Sequence, residues 1–124
     1  MPRQWARLPE RIRDAAGRLL YAQIECMDAV ELIRKYSDPN CLIYADPPYM
    51  PSTRRKNIFA KELDEIGHMI LLKTLRLHSG SVVISGYDNA LYNEQLKSWR
   101  RFESMRQVEH GQSRLEVLWV KGVG

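Results

Sequence analysis

Apolar positions recur along the chain with helical spacing in some segments and as short continuous runs in others. Residues 4–20 have apolar side chains at helical spacing with arginines between them, which predicts an amphipathic helix. Residues 62–78 predict the longest helix, which Gly80 ends. Its residues expected to face the core are Leu63, Ile66, Met69, Ile70 and Leu75. Shorter helices are expected over 29–36, capped by Asp28, and over 89–98.

Short apolar segments between the helices predict strands. They cover residues 23–27, 41–45, 81–85, 102–108 and 115–120. The run 41–45 is apolar throughout, which is typical of a central strand buried on both faces. Helices and strands alternate along the chain, and this order predicts an α/β fold with a mainly parallel sheet. The last two strands, around Gly111, are expected to form an antiparallel pair.

Composition places the chain among ordinary globular proteins. It has 124 residues, of which 44% are hydrophobic and 27% charged, enough for one domain with one core. No apolar run approaches the ~18–20 residues of a membrane span, and the basic N-terminus is not followed by a signal-peptide core. We therefore expect a soluble, cytoplasmic protein with no membrane partner.

The net charge of +4 is unevenly distributed. Arginines outnumber acidic residues in the first 20 positions, and Arg54, Arg55 and Lys56 form a second basic cluster. A basic run is often only a solvated surface. Because this cluster immediately follows the candidate active-site motif, we expect it to contact DNA phosphates.

Cysteine and histidine give no sign of a metal site. Cys26 and Cys41 form neither a disulfide framework nor a zinc pattern, and both are expected to be buried thiols. The three histidines are not at metal-ligand spacing with carboxylates or cysteines, so we expect surface positions and no metal. They are His68, His78 and His110.

The segment Asp46-Pro47-Pro48-Tyr49 ends the apolar run and is the strongest chemical signal. In open α/β sheets, ligands bind beyond the carboxyl ends of the strands. Proline lacks an N–H and has a fixed φ, so consecutive prolines leave rigid carbonyl acceptors free of sheet pairing. The turn thus offers a carboxylate, a fixed carbonyl and an aromatic face, unless it is merely a tight turn.

This combination suits an exocyclic amine on a planar ring. The lone pair of such an amine is delocalised into the ring, so the amine is a poor nucleophile. Two acceptors can bind its two hydrogens, and an aromatic face can stack on the ring. The carboxylate would stabilise positive charge that develops on the nitrogen.

The segment Ile43–Tyr49 resembles the catalytic motif of the D12 class of adenine-N6 DNA methyltransferases, the Dam-like group. Ser85–Tyr92 resembles the next block of its phage-like members, and Arg114–Trp119 resembles their closing strand. Trp5–Arg18 and Ile24–Ile33 resemble the segment just before the motif. The resemblance implies the C-terminal half of a Rossmann-like methyltransferase fold. It also implies DNA as the partner and S-adenosylmethionine as the cofactor.

The resemblance implies a role for each residue of the motif. Asp46 would accept a hydrogen bond from adenine N6, the Pro47 carbonyl would accept the second, and Tyr49 would stack on a flipped adenine. Pro48 completes the rigid turn. Asp46 and Asp28 would also bind the cofactor, although Asp28 can equally cap a helix.

Three other residues leave alternatives open. Tyr44 is expected to pack in or beside the core rather than to bind a ligand. Asp88 and Asn89 either line the pocket or build a turn.

The sequence departs from a complete family member in one respect. None of its seven glycines makes a G-x-G pattern between a strand and a helix, and a target-recognition domain is missing. We therefore expect residues 1–124 to be a partial methyltransferase domain. It would dimerise or pair with a chain that supplies the missing N-terminal half, or else persist as an inactive DNA-binding or protein-interaction module. Methylation of RNA or protein glutamine is disfavoured by Asp, rather than Asn, at position 46.

Overall fold

A computed structural model describes residues 2–50, 63–107 and 111–122 of the chain. Its helices are α1 (Pro2–Ala6), α2 (Leu8–Arg18), α3 (Ala29–Lys35), α4 (Glu65–Leu77) and α5 (Ala90–Gln95). Its strands are β1 (Ile43–Ala45), β2 (Val82–Tyr87), β3 (Arg100–Gln107) and β4 (Ser113–Lys121). The α/β class predicted from the sequence is confirmed.

The four strands form one mixed sheet in the order β1-β2-β4-β3. β1 and β2 are parallel, with Ile43 opposite Val82, whereas β4 is antiparallel to both β2 and β3. The prediction of a mainly parallel sheet is therefore wrong, while the antiparallel final pair is confirmed. The few residues between β3 and β4 allow only a hairpin, and β4 then takes the place beside β2.

The core lies on one face of the sheet, where α4 supplies most of the helical contribution. β2 alternates between the two faces, so Val82 and Ile84 are buried while Val83 is half-buried. The cluster also contains Val117 and Trp119 of β4 and the leucines of α4. On the opposite face, none of the described helices covers the sheet, and Tyr44, Phe102 and Leu118 are partly exposed there.

Helix α4 forms where the sequence predicts a helix, and two of the five residues predicted to face the core, Leu63 and Leu75, do pack in or against it. The other three do not. The buried residues of α4 are His68, Leu71, Leu72, Thr74 and Leu75. Ile66, Met69 and Ile70, which were expected inside, are about half to two-thirds exposed. The helix is apolar on two sides, and periodicity alone does not decide which side meets the sheet.

The N-terminal segment, residues 2–27, forms helices that do not pack into the core. The helix predicted over 4–20 forms as α1 and α2, and α2 buries no residue. The strand predicted over 23–27 does not form. Because no sheet covers this segment in the described structure, Cys26 is exposed. Cys41, which lies just before β1, is only half-buried, so the prediction of two buried thiols is wrong.

Two histidines expected on the surface are buried. His68 Nδ1 lies 2.7 Å from the Tyr92 hydroxyl, and His78 Nε2 donates to the Cys41 carbonyl at 2.8 Å. These hydrogen bonds offset the cost of burying a polar ring. His110 lies outside the described residues.

Gly80 lies where the end of α4 passes close to the start of β1. A Cβ at this position would overlap the Cys41 carbonyl oxygen, closer than any side chain can approach. Glycine here therefore allows the two chain segments to meet. In the described part of the chain, no helix combines the length and apolar character needed to cross a membrane.

Candidate active site at the end of strand β1

The Asp46–Tyr49 segment leaves the sheet at the carboxyl end of β1, as the sequence predicts. However, β1 is not a central strand buried on both faces. Among the described strands it lies at the edge of the sheet, and Leu42 and Tyr44 are each 63% exposed. The predicted packing role of Tyr44 is therefore wrong, because its side chain points to the open face and lines a cavity there.

Ser85 of β2 forms a hydrogen bond with Asp46. The parallel register places Ala45 opposite Ile84, so the next residues along both strands, Asp46 and Ser85, are neighbours. Ser85 Oγ donates to Asp46 Oδ1 at 3.0 Å. A hydroxyl donor to a carboxylate is a charge-assisted hydrogen bond, which orients the carboxylate.

Asp46 and Tyr49 line one cavity of about 410 Å³ on the open face of the sheet. Its walls come from the segment that follows β1, from the carboxyl-terminal part of β2 and from the middle of β3 and β4. The lining residues are Tyr44, Asp46, Tyr49, Ser85, Gly86, Phe102, Glu103, Ser104, Arg106, Glu116, Val117 and Leu118. Aromatic rings and carboxylates in one concave site suit a planar ligand with hydrogen-bond donors or positive charge.

Tyr49 is stacked on Tyr87, the last residue of β2. The ring centroids are 3.9 Å apart and the planes differ by 17°. Burial of the phenol, a hydrogen bond with Tyr87 and the nearby charges of Glu116 and Asp46 raise the pKa of Tyr49 to about 12. Tyr49 is therefore neutral at physiological pH and presents an uncharged aromatic surface.

Ion pairs balance two of the carboxylates around the cavity. Arg106 Nε lies 2.8 Å from Glu116 Oε2, and Arg101 pairs with Glu103 and, at 2.8 Å, with Asp88. Asp46 instead has the neutral Ser85 hydroxyl as its partner. Among the described acidic residues that line this cavity, Asp46 is thus the one whose hydrogen-bond partner is an uncharged hydroxyl.

Asp28 lies apart from the cavity. It is the N-cap residue of α3, and its Oδ2 accepts a hydrogen bond from Glu31 N at 3.3 Å. The helix-capping interpretation is confirmed, whereas the structure does not bring Asp28 together with Asp46. Arg54, Arg55 and Lys56 lie outside the described residues.

Asp88 and Asn89 build a turn and a helix cap. Asn89 caps α5 by accepting from Tyr92 N at 2.9 Å, and its amide donates to the Tyr87 carbonyl. Asp88 accepts from Asn93 at 2.7 Å. Of the alternatives left open by the sequence, these contacts favour the turn.

Sequence reasoning did not assign Ser85, Tyr87 or Glu116 to the site. The signal was available for the first two, because they stand in the Ser85–Tyr92 block that carries part of the resemblance. Glu116 stands in the Arg114–Trp119 segment that also carries the resemblance, but its place beside Tyr87 depends on β4 pairing with β2. Among the described residues, no three His, Cys, Asp or Glu side chains are grouped so that they could hold a metal ion.

Comparisons with known proteins agree with the geometry of this site. No curated protein gives a significant match. The family model described as D12 class N6 adenine-specific DNA methyltransferase matches residues 2–112, which include the Asp46–Tyr49 segment and strands β1 to β3. The chain therefore belongs to the D12 class N6 adenine-specific DNA methyltransferase family.

Proposed function

We propose that this chain carries the catalytic residues for transfer of a methyl group to N6 of an adenine in DNA. The observation that carries the proposal is the shared cavity of Asp46 and Tyr49, with Ser85 holding one carboxylate oxygen of Asp46. Membership of the family supports the same reaction class.

In the proposed mechanism, the target adenine leaves the duplex and enters the cavity. We assign Asp46 Oδ2 and the Pro47 carbonyl to the two hydrogens of the amino group, because Ser85 already binds Oδ1. Pro48 keeps the turn rigid, and Tyr49 stacks on the base. The Asp46 carboxylate then stabilises the positive charge that develops on the nitrogen and accepts its proton.

S-adenosylmethionine is the proposed methyl donor, and the chemistry of the cavity fits it. The donor has a positively charged sulfonium, and the residues that line the cavity include the acidic residues Asp46, Glu103 and Glu116. When bound, it would supply an electrophilic methyl group. We assign Asp46 to its reactive end, and we retain Asp28, which lies apart in this structure, as the proposed second cofactor contact.

A methyl-transfer assay with radiolabelled donor and adenine-containing duplex DNA tests the proposal. We expect Asp46→Ala to abolish transfer and Asp46→Asn, which keeps an acceptor but no charge, to reduce it by roughly 100-fold to 1,000-fold. The matched control is Asp14→Asn, an exposed aspartate on α2. Full activity in Asp46→Ala would remove this residue from the mechanism.

DNA is the proposed macromolecular partner. We assign Arg54, Arg55 and Lys56 to phosphate contacts because of their place in the sequence, directly after the motif. Neutralising all three should weaken binding for every DNA sequence and lower the slope of log affinity against log salt by roughly 0.9 per lost contact. An unchanged salt slope would show that they do not touch phosphate.

Exposed apolar surface supports the proposal that the active form contains a second chain. Residues 3–27 bury no side chain, and within the described residues β1 pairs only with β2. Such an edge can accept a strand from a partner that supplies an N-terminal half, or from a second copy. Transfer that appears only after a chain encoded upstream is added would support the first form, while an active monomer on size-exclusion chromatography would contradict both.

A further inference from the structure

Tyr87 covers one face of the Tyr49 ring. The two rings are nearly parallel, with centroids 3.9 Å apart, which is the geometry of a full stacking contact. An aromatic ring has two faces, so a purine that stacks on Tyr49 can use only the face opposite Tyr87. The arrangement thus determines from which side a base can approach.

The two tyrosines differ in how firmly the backbone holds them. Tyr49 follows two prolines and lies outside any strand. Tyr87 is the last paired residue of β2, opposite Glu116 of β4, and the ladder continues one residue further through Asp88 N and the Leu115 carbonyl at 3.1 Å. The sheet therefore fixes Tyr87, and Tyr87 in turn can fix Tyr49.

Arg114 adds a second contact to the Tyr87 ring. Its guanidinium carbon lies 5.1 Å from the ring centroid, within the range of a cation–π interaction. Arg114 stands in β4, so a second strand helps to hold the Tyr87 side chain. The series Arg114, Tyr87, Tyr49 then leads from the sheet to the cavity.

We propose that Tyr87 is a positioning residue for base capture, which holds the Tyr49 ring in the orientation that receives the target adenine. The proposal rests on the stacking role proposed for Tyr49 above. A ring that is already held loses less conformational freedom when a base stacks on it, and binding is correspondingly tighter. Loss of the support should weaken capture by roughly threefold to tenfold.

Fluorescence titration of the full chain with a single-stranded oligonucleotide that contains 2-aminopurine measures capture directly. This fluorescent adenine analogue responds to stacking, and a single strand needs no base flipping. We expect Tyr87→Ala to weaken binding by the factor above and Tyr87→Phe, which keeps the ring, to bind within about twofold of the wild type. Tyr21→Ala, at a tyrosine that is 93% exposed, is the control and should bind as the wild type does.

A double-mutant cycle separates support of Tyr49 from an independent contact with DNA. If Tyr87 acts through Tyr49, the variant with both tyrosines changed to alanine binds no more weakly than Tyr49→Ala alone. If the losses of affinity in the two single variants add up in the double variant, the proposal is overturned. It is also overturned if Tyr87→Ala binds as tightly as the wild type while Tyr49→Ala binds more weakly. Circular dichroism checks folding, and Tyr87→Leu, which keeps apolar bulk on the strand, replaces Tyr87→Ala if the latter does not fold.

Failure of the underlying function gives a different result. If Tyr49→Ala binds the oligonucleotide as tightly as the wild type, or if the wild type does not bind it, Tyr49 is not the stacking residue. Both the stacking role and the support by Tyr87 are then overturned. If only Tyr87 proves neutral, the role of Tyr49 stands.

Discussion

Helices α2 and α4 are both amphipathic by sequence, but only α4 contributes to the core. Helix α4 buries five side chains, whereas α2 buries none in the described structure. The difference lies in what each helix connects. Helix α4 joins two parallel strands, and such a crossover must pass over the sheet. Helix α2 is followed by residues 22–26, which form no strand, so it has no sheet to cover.

The largest expected effect on stability is the difference between replacing a tryptophan in the core and replacing one in the N-terminal segment. Trp119 of β4 is 1% exposed and packs against Tyr92 with ring centroids 5.3 Å apart, while Trp5 of α1 is 68% exposed. Trp119→Ala should lower the free energy of unfolding by about 3–5 kcal/mol because it leaves a large cavity. Trp5→Ala should change it by less than about 0.5 kcal/mol. Urea denaturation of both variants measures the difference.

If both substitutions lower the free energy of unfolding equally, the contrast between the core and the N-terminal segment is wrong. They would mean that residues 2–27 are packed in solution, for example against a second copy of the chain. Repeating the denaturation at several protein concentrations distinguishes such an assembly, because the stability of an oligomer depends on concentration.

A smaller effect is expected from the hydroxyl group of Tyr92. This hydroxyl lies 2.7 Å from His68 Nδ1 in the core, and both side chains are buried. Tyr92→Phe removes the hydrogen bond between this hydroxyl and the buried His68 Nδ1. The loss should reduce the free energy of unfolding by about 1–3 kcal/mol. Tyr21→Phe, at an exposed position of the N-terminal segment, should have no measurable effect. A stable Tyr92→Phe variant would show that water or another group replaces the hydroxyl.

Asp28 lies in the chain between α2 and α4. Two substitutions of this residue can separate its helix-capping role from its proposed role in cofactor binding. Asp28→Ala removes the cap of α3 and should cost about 1 kcal/mol, while Asp28→Asn retains the cap. If Asp28 also binds the cofactor, both variants should weaken S-adenosylmethionine binding in calorimetry.

The control for Asp28 is Asp64, which caps α4 through Gly67 N at 2.7 Å. Asp64→Ala should lower stability by a similar amount and leave cofactor affinity unchanged. Unchanged affinity in Asp28→Asn would assign Asp28 to helix capping alone.

The sequence predicts the elements and the motif well, because both depend on neighbouring residues. The Asp46–Tyr49 turn follows from two prolines after an apolar run, and α4 begins at a capping aspartate, Asp64, and ends before Gly80. Antiparallel pairing of β4 with β2 depends instead on contacts between distant segments. No local pattern distinguishes it from the parallel arrangement that alternating helices and strands favour.

The same limit explains which site residues were missed. Glu116 enters the cavity only because β4 lies beside β2, and Tyr87 reaches Tyr49 only because β1 is parallel to β2. The buried histidines are a further example, since each contacts a residue far along the chain. His68 contacts Tyr92, and His78 contacts the carbonyl of Cys41.

The smallest effect concerns ionisation at the rim of the cavity. Burial, followed by the hydrogen bond with Tyr87, raises the pKa of Tyr49 from 10.0 to about 12. The folded state therefore holds this proton more tightly than the unfolded state does. The resulting stabilisation is complete below pH 10 and is lost as the pH rises through about 12. The test is an alkaline titration followed by tyrosinate absorbance. In the folded protein, Tyr49→Phe should remove the part of the absorbance change that occurs near pH 12, whereas in denaturant it should remove a part near pH 10. Loss of signal near pH 10 in both states would show that Tyr49 is open to water, and its contact with Tyr87 would then be absent in solution.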